Sequence, residues 1–135
     1  MKVYIAAAFP DREAVTELQI LCKKKGYKIS GDWTKHKSVK PYEQNKVLSK
    51  RYAKEDLKNV RNCDVFILLS NKEGSTGAHV ELGAALALSM EKGIPKVYII
   101  GDHLSRSLFY FHPVISLKKD INAVFEDLER PQILK

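Results

Sequence analysis

The sequence predicts an α/β fold built on a five-stranded parallel sheet. Three observations predict it: short, wholly apolar segments recur along the chain, each is followed by a stretch of helical length, and two of those stretches close on Lys then Gly. Apolar runs without alternation are strands buried on both faces, and such strands belong to parallel sheets covered by helices on either side. With right-handed crossovers, five strands take the flavodoxin-like order 2-1-3-4-5, a three-layer sandwich in a single domain spanning 1–135.

The first strand is KVYIAAA, residues 2–8, and Pro10 with Asp11 then marks a turn and a helix start. The helix, about residues 11–25, puts Ala14, Leu18, Leu21 and Cys22 on one face and ends at Lys23 to Lys25 before Gly26. YKISGDW reads as the second strand. Residues 34–43, TKHKSVKPYE, are polar, basic and broken by Pro41, so they form a surface loop ahead of a long helix over 43–61. DVFILLS, residues 64–70, is the clearest buried strand, followed by the loop NKEGSTG and a helix from Ala78 that ends at Gly93. KVYII at 96–100 is the fourth strand, VISL at 114–117 the fifth, and KDINAVFEDLER a closing helix with Ile121, Val124, Phe125 and Leu128 on one face.

With 135 residues, 44% of them hydrophobic, the chain suits one core. Its 23 Lys and Arg against 16 Asp and Glu give a net charge of +7, which favours anionic partners such as nucleotides or phosphorylated metabolites, although a well-solvated surface accounts for the charge equally well. Cys22 and Cys63 lie far apart without CxxC spacing, and the chain opens directly into a strand with no signal segment, so a reducing cytoplasm is the expected setting. No apolar run approaches the roughly 20 residues of a membrane span. His36, His79, His103 and His112 show no metal-ligand spacing, and no cofactor is expected.

In doubly wound sheets ligands sit at the carboxyl ends of the strands where the order reverses, here between strands one and three. Two loops border that point: Ala7 to Asp11 and Asn71 to Gly77. Glu81 stands alone in the apolar run GSTGAHVELGAALAL, in the first turn of the helix that the second loop enters. It either complements the helix dipole or faces the crevice as an ionised nucleophile or base. A capping box is ruled out, because Ala78 stands where Ser or Thr is required. Gly74 and Gly77 around Ser75 and Thr76 let backbone N–H groups approach a phosphate, but the loop lacks both the Walker A lysine and GxGxxG. Asp56 is either a solvated helix charge or a second acid at the crevice. Tyr4 is either core or site. Phe9 and Trp33 either stack on a ligand or pack.

Taken in order, KVYIAAAF, EDLKNVRNCDVFILLS and GSTGAHVELGAALAL resemble the nucleoside 2-deoxyribosyltransferase family, which includes 2'-deoxynucleoside 5'-phosphate N-hydrolases, over roughly residues 2–100. The resemblance implies cleavage of an N-glycosidic bond, with Glu81 attacking C1' of the sugar, Asp56 assisting proton movement at the departing base and Tyr4 beside the nucleophile. It also implies that Ser75, six residues before Glu81, replaces the acid that holds a free 5'-hydroxyl in nucleoside-specific members, so that a 5'-phosphate is tolerated. Substrate contacts are expected from Ser75, Gly77, Ala7, Phe9 and His79. The sequence departs from the nucleotide hydrolases after strand one, where AAAFPD replaces a polar, Gly-rich loop, so phosphate recognition needs backbone N–H groups, Arg12 or a basic side chain from another segment. A homodimer or larger assembly, with sites completed by a neighbour, is a further implication. Two other classes compete: a nucleotide-sensing domain of the same fold, and, ranked below it, a nucleic-acid binder using Lys35, His36, Lys37, Lys40, Lys46, Lys50 and Arg51.

Overall fold

A computed structural model describes residues 1–130; the expected 1–135 domain runs on through five residues outside the described ones. Strands β1 (Lys2–Ala6), β2 (Lys28–Ile29), β3 (Val65–Leu69), β4 (Lys96–Ile100) and β5 (Ile115–Leu117) alternate with helices α1 (Arg12–Lys24), α2 (Lys46–Arg61), α3 (Thr76–Lys92) and α4 (Ile121–Glu129). All strand pairs are parallel and the order is β2-β1-β3-β4-β5, as the apolar pattern predicts.

Register follows from burial. Val3 pairs with Val65 and Ile5 with Ile67, while Phe66 faces Val97 and Leu68 faces Ile99. Every residue of β3 is buried, because helices cover both sides of the centre strand. Each large aliphatic or aromatic side chain withdrawn there contributes roughly 1.5–3 kcal/mol. On one face α1 lies beside α4, with the Tyr27 and Phe125 rings 5.9 Å apart and Lys25 Nζ 3.2 Å from Glu129 Oε1. On the other, α2 packs along α3. Cys22 and Cys63 are free and buried.

Several boundaries differ from the sequence reading. β1 ends at Ala6, and Ala7 and Ala8 lead into a 3-10 turn at Phe9–Asp11. β2 keeps only two residues, because Gly31 turns the chain at φ +78° and the Asn59 side chain fills the place a Cβ would take. In α1 the buried positions are Val15, Gln19 and Cys22, whereas Leu21 is exposed. Residues 42–44 form a separate 3-10 turn before α2. The closing helix does bury Ile121, Val124 and Phe125.

The carboxyl edge of the sheet is tied together at buried Ser70. Its Oγ donates to the His103 carbonyl at 2.6 Å and accepts from Arg106 Nη1 at 2.9 Å, while the same guanidinium also reaches the Asn71 and Lys72 carbonyls. Gly101 makes this close approach possible, since at φ +113° an added Cβ would lie 2.5 Å from the Ser70 carbonyl oxygen. The loops after β3 and β4 are therefore one unit, and α3 starts from it.

Candidate active site

A cavity of about 600 Å³ opens at the carboxyl ends of β1 and β3, where the strand order reverses. α3 supplies Glu81, backed by the Tyr4 hydroxyl of β1, α2 supplies Asp56, and the 33–42 segment closes one side. Tyr4 is wholly buried and lies on the face of β1 that meets α3, stacked on Phe66 with ring centres 5.9 Å apart. Its hydroxyl donates to Glu81 Oε2. The Tyr4 ring thus fills the core while its oxygen reaches the Glu81 carboxylate.

The electrostatics of Glu81 differ from the expectation. α3 begins two residues earlier than Ala78, with Ser75 as its N-cap, accepting from Ala78 N at 3.1 Å. Glu81 thus stands in the second turn, where the helix dipole has largely decayed. Burial wins: it pushes the Glu81 carboxyl up to about 7, against the Tyr4 hydrogen bond that favours the charged form, and the Asp56 charge adds to the rise. Burial also raises Asp56, opposed by His36 and reinforced by Glu55. The Tyr4 phenol is held protonated far above its ordinary value by burial, then by the charges of Glu81 and Asp56. A carboxyl raised to about 7 gains or loses its proton within the range where enzymes work.

Ser75, Gly77, Ala7 and Phe9 line this cavity. Ser75 accepts one hydrogen bond in the cap and keeps its hydroxyl proton to donate. Trp33, anchored by its Nε1–H to the Ile5 carbonyl at 2.6 Å, forms a wall with Phe9, whose ring centre is 6.5 Å away. His79 lies elsewhere. It lines a second, shallower depression with Gly74, Thr76 and Arg106, and both ring nitrogens are engaged. Nδ1 is 2.6 Å from the Ser75 carbonyl, which can only accept, so Nδ1 carries the proton; Nε2 then accepts from the Tyr110 hydroxyl at 2.8 Å. His79 braces the start of α3 instead of facing the main cavity. Arg12 also turns away, with its guanidinium 4.5 Å from the Phe9 ring centre.

The basic side chains at the cavity come from another segment: His36, Lys37 and Lys40, which together with Tyr42 and Tyr52 complete the side opposite Glu81. Sequence reading placed these lysines in a surface loop and missed their part in the site. The one available signal was the mixture of aromatic and basic residues flanking Pro41.

The fold and the crevice define a doubly wound α/β chain with a carboxylate pair at the topological switch point. Among solved structures, that of the Clostridium botulinum CMP N-glycosidase BcmB shares this fold, with a TM-score of 0.62 and 18% sequence identity over 96% of this chain and 98% of that one. No protein-family model matches the chain, and no curated protein matches it by sequence. The architecture implied by the family resemblance is thus the observed one. No helix among the described residues is long and apolar enough to cross a membrane.

Proposed function

We propose that this chain cleaves the N-glycosidic bond of a (deoxy)nucleoside or nucleoside 5'-monophosphate through a glycosyl ester on Glu81, passing the sugar to water or to a second base. The observation that carries the reading is Glu81 itself: a half-buried carboxylate, held by the Tyr4 hydroxyl, in the wall of a cavity sited where this fold binds ligands. The likeness in fold to a CMP N-glycosidase supports the reaction class, and the aromatic walls from Phe9 and Trp33 suit a flat base.

In the first step ionised Glu81 forms a bond to C1', the C1'–N bond breaks, and its electron pair stays on the base, which takes a proton from Asp56. In the second, water attacks C1', Asp56 takes back a proton, and the ester bond to Glu81 breaks. Tyr4 holds the attacking oxygen's partner in place and steadies its charge. Ser75, with a hydroxyl proton to spare at the N-terminus of α3, accommodates the 5'-phosphate.

A homodimer or larger assembly belongs to the same proposal. The outward face of α3 presents Val80, Gly83, Ala87 and Met90, without a charge, beside the open side of the cavity. Light scattering on the purified chain tests it, with a monomer as the contrary result.

Chromatography tests the chemistry. Wild type and Glu81→Ala are incubated with nucleosides and their 5'-monophosphates, with and without an added free base. Base release by wild type alone is expected, and exchange into the added base makes the chain a transferase. A nucleotide bound tightly and returned unchanged replaces this reading with a sensing domain.

A further inference from the structure

The proposed reaction delivers one proton to a departing base and recovers one from water, and Asp56 does not face that task alone. His36 Nδ1 lies 3.8 Å from Asp56 Oδ1, and its Nε2 lies 3.8 Å from Glu55 Oε2. The ring is stacked on Tyr52, with centres 3.7 Å apart and planes within 3°, and the Tyr52 hydroxyl accepts from Lys37 N at 3.2 Å. The imidazole is therefore clamped in the cavity wall with one edge toward each of two carboxylates on α2. At 3.8 Å the pairs are within ionic reach yet longer than hydrogen bonds, so neither nitrogen is locked to its carboxylate.

The charges around the ring are mixed. From α2 come Glu55, Asp56 and Arg51, whose Nε is 3.5 Å from Glu55 Oε1. Lys35 and Lys37 flank His36 in the chain, and Glu81, held from behind by Tyr4, shares the cavity with Asp56. Arg51 partly satisfies Glu55, which leaves Asp56 as the carboxylate with no other cationic partner in hydrogen-bonding or ionic range among the described residues.

We propose that His36 is a positioning residue that acts through Asp56: the two side chains hold one proton between them, resting as imidazolium and carboxylate, and that proton goes to the departing base by way of Asp56. The inference rests on the N-glycosidic reading of the site. The side chains first close the 3.8 Å gap to a hydrogen bond; as the C1'–N bond breaks, His36 gives its proton to the Asp56 carboxylate and Asp56 gives one to the base, leaving neutral imidazole and carboxylate. When water attacks the glycosyl ester, its proton returns to Asp56 and on to His36. The pair thus ends as it began, and the substrates it favours are those whose base is a poor leaving group unless protonated.

The test is a series of substrates with one sugar and leaving bases of graded basicity, assayed with wild type, His36→Gln and His36→Asn. Loss of the pair's proton steepens the dependence of kcat on base pKa: little change for the base that leaves most readily, and a loss on the order of a hundredfold for the most basic. A uniform loss across the series, or none, overturns the proposal. Titration of the Asp56 carboxyl carbon by NMR needs no turnover: its midpoint moves up in His36→Gln, because the cation favouring its charged form is gone. An unchanged midpoint overturns the pairing. Absence of base release by wild type across the whole series refutes the glycosidase reading, whereas parallel slopes for wild type and variants refute only the role of His36.

Discussion

Replacing Glu81 by Gln tests the central electrostatic claim without reference to any substrate. Burial raises this carboxyl from 4.5 to about 7, so the folded state holds its proton more tightly than the unfolded chain does. Such a group contributes fully below the unfolded value, and the contribution is lost as pH rises through the folded one. At roughly 1.4 kcal/mol per pH unit, the interval corresponds to about 3 kcal/mol of stability absent from the wild type above pH 7. Gln keeps the shape and still accepts from the Tyr4 hydroxyl, but it carries no charge to bury. Glu81→Gln is therefore expected to match wild type near pH 4, to draw ahead between pH 4.5 and 7, and to be up to about 3 kcal/mol more stable at pH 8. For a chain of this length the gap corresponds to roughly 10 °C in Tm. Urea and thermal melts of both forms at intervals from pH 4 to 8 read it directly. A gap that does not grow with pH, or a Gln variant less stable at pH 8, refutes the reasoning.

Other substitutions address the remaining parts. Tyr4→Phe removes the donor that favours charged Glu81, so the rising limb of kcat/KM against pH should move alkaline; a limb that stays put argues that the bond is not made in solution. Ser75→Asp retains an N-cap for α3 and adds a charge at the cavity, so the melting temperature should hold while base release from 5'-monophosphates falls on the order of tenfold or more relative to nucleosides. An unchanged ratio removes Ser75 from phosphate recognition. Gly101→Ala sets a Cβ against the Ser70 carbonyl at a φ few side chains adopt, and should cost more than about 2 kcal/mol in urea denaturation. A midpoint within error of wild type means the loop relaxes around it.

The central strands were legible because burial on both faces leaves an unmistakable record: β1, β3 and β4 are near-continuous apolar runs. β2 left no such record. It is an edge of two residues whose length is decided by Gly31 and by the distant Asn59 side chain, a contact no local pattern encodes. The start of α3 was misjudged for a related reason, since Thr76 and Gly77 read as loop and only the Ser75 to Ala78 bond reveals the cap. At the site, strand order alone directs attention to Glu81, and the motif set brings Tyr4 and Asp56 to it. His36, Lys37 and Lys40 stayed hidden because the segment that holds them is irregular, and irregular segments are placed by tertiary contacts such as the stacking of His36 on Tyr52. His79, expected at the substrate, lines the second depression, because nearness in sequence to Glu81 does not imply a shared face. Two residues apart on a helix, side chains point to nearly opposite faces, roughly 160° apart.

Trp33 is the only tryptophan in the chain, and it stands in the cavity wall with its indole nitrogen fixed to the backbone of β1. Its emission is therefore a built-in optical gauge of that one space, unblurred by a second fluorophore of its kind. A base sliding against the indole quenches or shifts the light at the moment of entry, whether or not any bond is later broken. Occupancy and turnover can be followed as separate signals in the same cuvette, with the unlabelled chain as its own instrument.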